Sequence, residues 1–92
     1  MTVHKIRLID NTYDLKISNQ LLSKFITAKI EFIEDRIKET APEDIEEISQ
    51  LNLRIEDLKA ESRSLDLFIE NYDGENVEME IGSTVVMSIK EK

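Results

Sequence analysis

The groups that carry covalent catalysis are scarce in this chain. His4 is its one histidine and no cysteine is present, so no nucleophile can be matched with both a base and an orienting group. In a strand, His4 would share a face with Ile6 and Leu8 at the margin of a sheet, which favours a structural role. We therefore expect no catalytic residue and no enzyme activity.

Carboxylates are the abundant reactive group, and several occur in adjacent pairs such as Glu34-Asp35 and Glu46-Glu47. General acid–base catalysis needs one carboxyl of a pair buried in a concave site. A chain of this length that forms two helical rods and a sheet leaves little room for a pocket, so we interpret the pairs as solvated surface. A small-molecule site between subunits of an oligomer is a third alternative, which a cavity lined by His4 and Tyr13 would indicate.

Metal and phosphate sites are not predicted either. Residues 71–76 have part of the spacing of a calcium loop, but Ile69 stands where such a loop needs an oxygen ligand, so a helix stop and turn explain the segment better. Gly74 and Gly82 are the only glycines, which leaves no phosphate-cradling loop. We expect neither a metal nor an organic cofactor.

Acidic side chains gather in the middle of the chain, where residues 31–47 hold eight acids against two bases. Acids in the first turn of a second helix are explained by its dipole. Glu39 is different, because it opposes the dipole at the end of the first helix and forms a like-charge pair with Asp35. This penalty indicates a tip that is kept negative for a basic partner. The predicted acidic tip comprises Glu31, Glu34, Asp35, Glu39, Glu43 and Glu47.

Length and charge bound the class of protein. Ninety-two residues suit a single domain, which we predict to span residues 1–92. The net charge of −8 disfavours direct binding to nucleic acid or to an anionic membrane, so a basic or neutral protein is the more natural partner. No apolar run has the length of a membrane span, and the first ten residues lack the apolar stretch of a signal peptide. These features predict a cytoplasmic protein.

Alternating apolar residues predict four strands, two at each end of the chain. The predicted strands are residues 3–9, 12–17, 76–81 and 85–90. Turns are placed at Asp10-Asn11 and at Gly82-Ser83, so each pair of strands forms a β-hairpin. The apolar pattern of the second hairpin favours a three-residue loop with a bulge near Thr84.

Two helices are predicted between the hairpins, at residues 19–39 and 42–72, because apolar residues recur there at steps of three and four. Ser18 is placed as the N-cap of the first helix, and Thr40-Ala41-Pro42-Glu43 as the capping box of the second. The order ββααββ predicts an α+β fold, a four-stranded antiparallel sheet covered on one face by the base of a long antiparallel helical hairpin.

The helical hairpin should extend beyond the sheet, since a 30-residue helix spans about 45 Å and a seven-residue strand about 23 Å. Besides its seam, the first helix carries a second apolar stripe, Leu21, Phe25, Ala28 and Phe32. Such helices often complete their burial in a four-helix bundle, although the stripe can also pack within the monomer. The predicted oligomer or partner interface comprises Leu21, Phe25, Phe32, Ile33, Ile37, Ile48 and Leu53.

These features favour a non-enzymatic protein–protein interaction module, a small regulatory accessory protein of the kind found in phages and mobile elements. We expect a homo-oligomer, a dimer or a tetramer, that assembles through the helical hairpin. The alternative is an acidic inhibitor whose carboxylates mimic nucleic-acid phosphates and occupy the basic groove of a nucleic-acid-binding protein.

Overall fold

The computed structural model describes residues 2–72 and 74–91. It consists of a helical hairpin attached to a two-stranded antiparallel ribbon. The elements are β1 (Thr2–Asp14), α1 (Leu15–Glu39), α2 (Ile45–Glu70) and β2 (Glu78–Ile89). β1 pairs antiparallel with β2 along its whole length, from Thr2 opposite Ile89 to Asp14 opposite Glu78. The helical hairpin is therefore confirmed. The ββααββ order and the four-stranded sheet with two hairpins are wrong, because the chain folds as β-α-α-β with one two-stranded sheet.

The predicted turn at Asp10-Asn11 lies inside β1. Those two residues pair with Gly82 and Ile81 in the opposite strand. The apolar alternation of β1 is interrupted by a β-bulge at Leu8, which lies between the paired residues Arg7 and Ile9, and not by a turn. One extra residue shifts the alternation by one position, so apolar residues before and after the bulge return to the same face. In the sequence, a bulge within one long strand and a two-residue turn between two short strands both appear as a change of phase in the apolar alternation.

The predicted turn at Gly82-Ser83 is wrong for a different reason. Both residues are paired within β2, and Gly82 does not use the positive φ that a hairpin turn would ask of it. The odd-numbered positions from Met79 to Ile89 are apolar except for Ser83, so the alternation keeps the same phase on both sides of Gly82-Ser83. A Gly-Ser pair permits a turn but does not require one, and the ladder with β1 offers every residue of the strand a partner.

α1 begins earlier than predicted because a different residue caps it. The Asp14 carboxylate accepts a hydrogen bond from the Ile17 backbone N–H at 2.8 Å, which places the N-cap at the last residue of β1. Ile17, predicted as part of a strand, is consequently helical. Ser18, predicted as the cap, lies in the first turns of α1 and is fully buried.

The loop between the helices also differs from the predicted capping box. Thr40 ends α1, donating its backbone N–H to the Ile37 carbonyl at 3.1 Å and its hydroxyl to the Arg36 carbonyl at 2.7 Å. Asp44 caps α2 instead, with its carboxylate accepting the Glu47 backbone N–H at 3.3 Å. Pro42 therefore lies in the loop and not in the first helical turn.

The core is the seam between the two helices. Ile33, Leu51 and Ile55 are buried there, with Ile30, Ile37 and Leu58 packed against them. These residues follow the three- and four-residue spacing that places side chains on one helical face. Among the described residues, Ile9 in β1 is the one other buried apolar side chain. The core therefore comes from the packing of the two helices against each other, and few side chains of the ribbon are buried.

The molecule is thin and extended. Its principal extents are 51 × 32 × 14 Å, so the smallest dimension is that of a single layer of secondary structure. The radius of gyration is 16.9 Å, against about 12 Å for a compact domain of this length. The accessible surface is 7740 Å², against roughly 5,500 Å² for a compact monomer of this mass. Stable domains normally pack two layers around a core, and this chain alone supplies one.

Candidate functional site

The outer side of α1 carries an apolar stripe that α2 does not cover. Phe25 and Phe32 each adjoin a seam residue in sequence, so each points about 100° away from the seam. Their side chains are 42% and 65% exposed. Leu21 is half-buried and Ala28 is exposed on the same side. We call Leu21, Phe25, Ala28 and Phe32 the outer stripe of α1.

α2 repeats this arrangement on its own outer side. Leu53, Ala60 and Leu67 recur every seven residues, which stacks them along one line of the helix. Leu53 is 62% exposed, and Leu67 is also exposed. Beside Leu53, a shallow groove runs along the α2 surface toward the exposed Ile45. The sequence prediction included Leu53 but missed Leu67, although the seven-residue spacing was visible.

The seven residues of the predicted interface fall into two groups. Ile33 and Ile37 lie in the intramolecular seam, where Ile33 is only 5% exposed, and Ile48 is half-buried one turn before Leu51. The other four point away from the seam or lie at its margin. The structure thus brings Ile33 and Ile37 together with α2 and leaves Phe25, Phe32 and Leu53 on the free surface. Their role in assembly stays a prediction.

The predicted acidic tip lies at the far end of the hairpin, around the loop between the helices. Glu31, Glu34, Asp35, Glu39 and Glu43 are exposed, and Glu47 is half-buried. In the described part of the chain the ion pairs are Arg7 with Asp10 and Lys59 with Glu56, so no carboxylate of the tip is neutralised by an ion pair. Most carboxylates of the tip are therefore exposed, and none is held in a described ion pair.

The register of the ribbon separates an apolar from a polar face. Because pairs alternate between faces and the bulge restores the phase, most apolar side chains of both strands project together, whereas Val3 and Val86 lie on the opposite face. Near the hairpin this face is half-buried, whereas toward the free end it is open, and Ile89 is 69% exposed. The residues of this apolar face are Ile6, Ile9, Tyr13, Met79, Ile81, Val85, Met87 and Ile89.

The opposite face of the ribbon is charged, with bases and acids at different ends. Lys5 and Arg7 lie toward the free end, and Asp14, Glu78 and Glu80 lie toward the hairpin. Arg7 forms an ion pair with Asp10 of the same strand, but across the strands the acids are not opposite the bases: Glu78 is opposite Asp14, and Lys5 is opposite Val86. The ribbon therefore has a positive and a negative end.

The residues weighed for chemistry remain apart. His4 is exposed and lies on the apolar face of the ribbon, paired across the strands with Met87. Within residues 2–72 and 74–91, no three histidine or carboxylate side chains are grouped as metal ligands. Neither helix in that part of the chain is long and apolar enough to cross a membrane.

No family model, curated protein or solved structure matches this chain. The exposed apolar surface on the outer sides of the helices and on the ribbon is the candidate site, on the geometry described above.

Proposed function

We propose that this chain is a non-enzymatic interaction module that assembles with copies of itself through the outer side of its helical hairpin. In that assembly Glu43 and Glu47, the residues of the acidic tip that lie beyond α1, remain free for a basic or neutral protein partner. The supporting observation is the area of exposed surface. The chain exposes roughly 2,200 Å² more than a compact monomer of its mass, and a typical stable interface takes about 800 Å² from each partner.

The distribution of charge along α1 favours a second copy on its outer stripe. The first part of α1 carries Lys16, Lys24 and Lys29 and no acid, whereas its last part carries four of the acids of the tip. When two α1 helices pack antiparallel, the basic part of each lies beside the acidic part of the other. Opposite charges at the margins of an apolar seam set the orientation of paired helices. Parallel packing would instead align like charges.

Phe32→Asp tests this proposal, because it places a carboxylate at the most exposed aromatic residue of the outer stripe. Thr27→Asp is the matched control, since Thr27 is exposed on the same helix and lies off the stripe. We expect light scattering at high protein concentration to show that Phe32→Asp lowers the mass of the assembly and that Thr27→Asp does not. Equal masses for the two variants would count against the outer stripe as the interface.

A second candidate function follows from the unpaired carboxylates of the acidic tip. As a nucleic-acid mimic, the tip would occupy the basic groove of a nuclease, polymerase or repressor, and that binding would weaken steeply with salt. Neutralising Glu34, Asp35, Glu39 and Glu47 together to their amides would abolish the inhibition and leave the oligomer intact. Retained inhibition by this variant would eliminate the mimic, and assembly through the apolar stripe would be unaffected by either outcome.

A further inference from the structure

The two outer edges of the ribbon are protected to different degrees. The edge of β1 carries the bulge at Leu8 and the charged residues Lys5, Arg7 and Asp10, which are features that discourage a further strand from adding. Residues 81–89 of β2 contain no charged residue and no proline, and their pairing with β1 shows no bulge on the β2 side. β2 therefore presents a long, regular and uncharged edge.

Such an edge is unstable when left open. A two-stranded ribbon is marginal in water unless a third strand or a packed layer supports it, and no third strand is present among the described residues. The segment Thr84-Val85-Val86 is of high β-propensity, and its backbone groups on the outer side have no ladder partner in the described part of the chain. These properties favour the addition of a further strand at the outer edge of β2.

We propose that the β2 edge pairs antiparallel with β2 of a second copy, about a two-fold axis at Val85. This contact is a second surface for the self-assembly proposed above. It rests on that proposed function only because both require a second copy of the chain. Two-fold symmetry makes an antiparallel pair of identical strands self-complementary, which is the commonest way in which soluble homodimers close. Added strands gain affinity from the main chain and specificity from alternate side chains.

The side chains of β2 match each other in this register. Ile81 faces Ile89 of the second copy and Val85 faces its own counterpart, so the apolar face continues across the junction. On the other face Thr84 meets Val86, a β-branched pair of the kind that stabilises sheets. Moving the axis by one residue to Thr84 would place Gly82 opposite Val86 and lose that pair.

Charge complementarity is consistent with an antiparallel pair in this register. Glu80 comes opposite Lys90 of the second copy, and the two-fold axis repeats this pair on the other side. Both side chains are exposed in the single chain and neither is in a described ion pair. Each such pair contributes modestly, about 0.2–1 kcal/mol, and its main effect is on register.

The antiparallel arrangement also covers apolar side chains that are exposed on the ribbon of a single copy. The exposed free end of one apolar face, with Met87 and Ile89, lies next to the hairpin end of the other. There Met79 and Ile81 are already half-buried near α1. Ile89, the most exposed apolar side chain of the ribbon, thus lies opposite the half-buried Ile81 of the second copy.

Single-cysteine variants test this proposal cleanly, because the chain has no cysteine of its own. Val85→Cys places two thiols across the two-fold axis, with Cα atoms about 5 Å apart, within the range of a disulfide. Ile6→Cys is the matched control, since Ile6 pairs with Val85 on the same face but lies on the outer strand. Its counterpart in the second copy is three strand spacings away, about 14 Å.

Under mild oxidation we expect Val85→Cys to form a covalent dimer rapidly and Ile6→Cys to stay reduced. Equal rates for the two variants would overturn the proposal. Faster cross-linking of Thr84→Cys than of Val85→Cys would overturn the assigned axis. If Val85→Cys fails to cross-link while Phe32→Asp still dissociates an oligomer, the strand pairing falls and the proposed function stands.

A charge at the axis gives an independent readout. Val85→Lys brings two ammonium groups face to face, and like charges directly opposite one another destabilise a strand pair. We expect self-association to weaken at least about tenfold, whereas Ile6→Lys, the same change one strand away, retains the affinity of the unmodified protein. Similar weakening by both variants would contradict the proposal, with circular dichroism confirming that each variant is folded.

Discussion

Folding of this chain is expected to depend on its concentration, because a single layer leaves its apolar surface in water until a second copy covers it. For a dimer that unfolds to two chains, each tenfold dilution lowers the stability of the dimer by about 1.4 kcal/mol. With about 2.1 cal/mol/K of unfolding entropy per residue, two chains of 92 residues give roughly 390 cal/mol/K. Dividing the first quantity by the second predicts that Tm falls by about 4 °C per tenfold dilution.

The assay is a thermal melt followed by circular dichroism at protein concentrations a hundredfold apart. A decrease of about 8 °C between the two is the expected result. The Val85→Lys and Phe32→Asp variants should melt at a lower temperature than the unmodified protein at every concentration, since each weakens the contact that couples folding to assembly. A Tm that does not change with concentration would refute the reasoning, because it would mean that one layer is stable alone.

Three substitutions test the interior of the chain. The buried Ser18 hydroxyl has no hydrogen-bond partner among the described residues, so Ser18→Ala should raise stability by about 1 kcal/mol in urea unfolding, and a loss would show that the hydroxyl is satisfied. Leu51→Ala should cost about 2–5 kcal/mol per chain by leaving a cavity in the seam, and a cost below about 1 kcal/mol would place the core elsewhere. Asp44→Ala removes the N-cap of α2 and should cost about 0.5–2 kcal/mol, measured in the same way, whereas no change would mean that the cap is dispensable.

The helical seam was predictable from sequence because its signal is local and repeated. Ile33, Leu51 and Ile55 belong to runs in which every third or fourth residue is apolar, and this spacing has no other structural explanation at such length. The left-handed backbone at Gly74, with φ of +82°, was likewise indicated by its place after a helix.

The strand pairing was not predictable in the same way, because it joins residues from opposite ends of the chain. Gly82-Ser83 and Asp10-Asn11 suit local turns, and local pairing costs less loop entropy than pairing the two termini. The alternation that keeps one phase from Met79 to Ile89 was the one sequence feature that favoured a single long strand. At Leu8 the bulge concealed the equivalent feature in β1.

The candidate site was predicted in part. The position of Phe25, Phe32 and Leu53 off the seam follows from helical spacing alone, and all three are exposed in the structure. The edge of β2 was missed, because whether a strand lies at an edge depends on the strand order, which the sequence pattern does not contain. In the predicted four-stranded sheet, the residues that form the free edge of β2 could have been paired with another strand.

The most direct measurement is the molar mass of the unmodified protein by sedimentation equilibrium at micromolar concentration. A chain that exposes roughly 2,200 Å² beyond a compact monomer is predicted to give 21.4 kDa (2 × 10.7 kDa) or a larger multiple. A folded species of 10.7 kDa would contradict the proposal that this chain is completed by a second copy of itself.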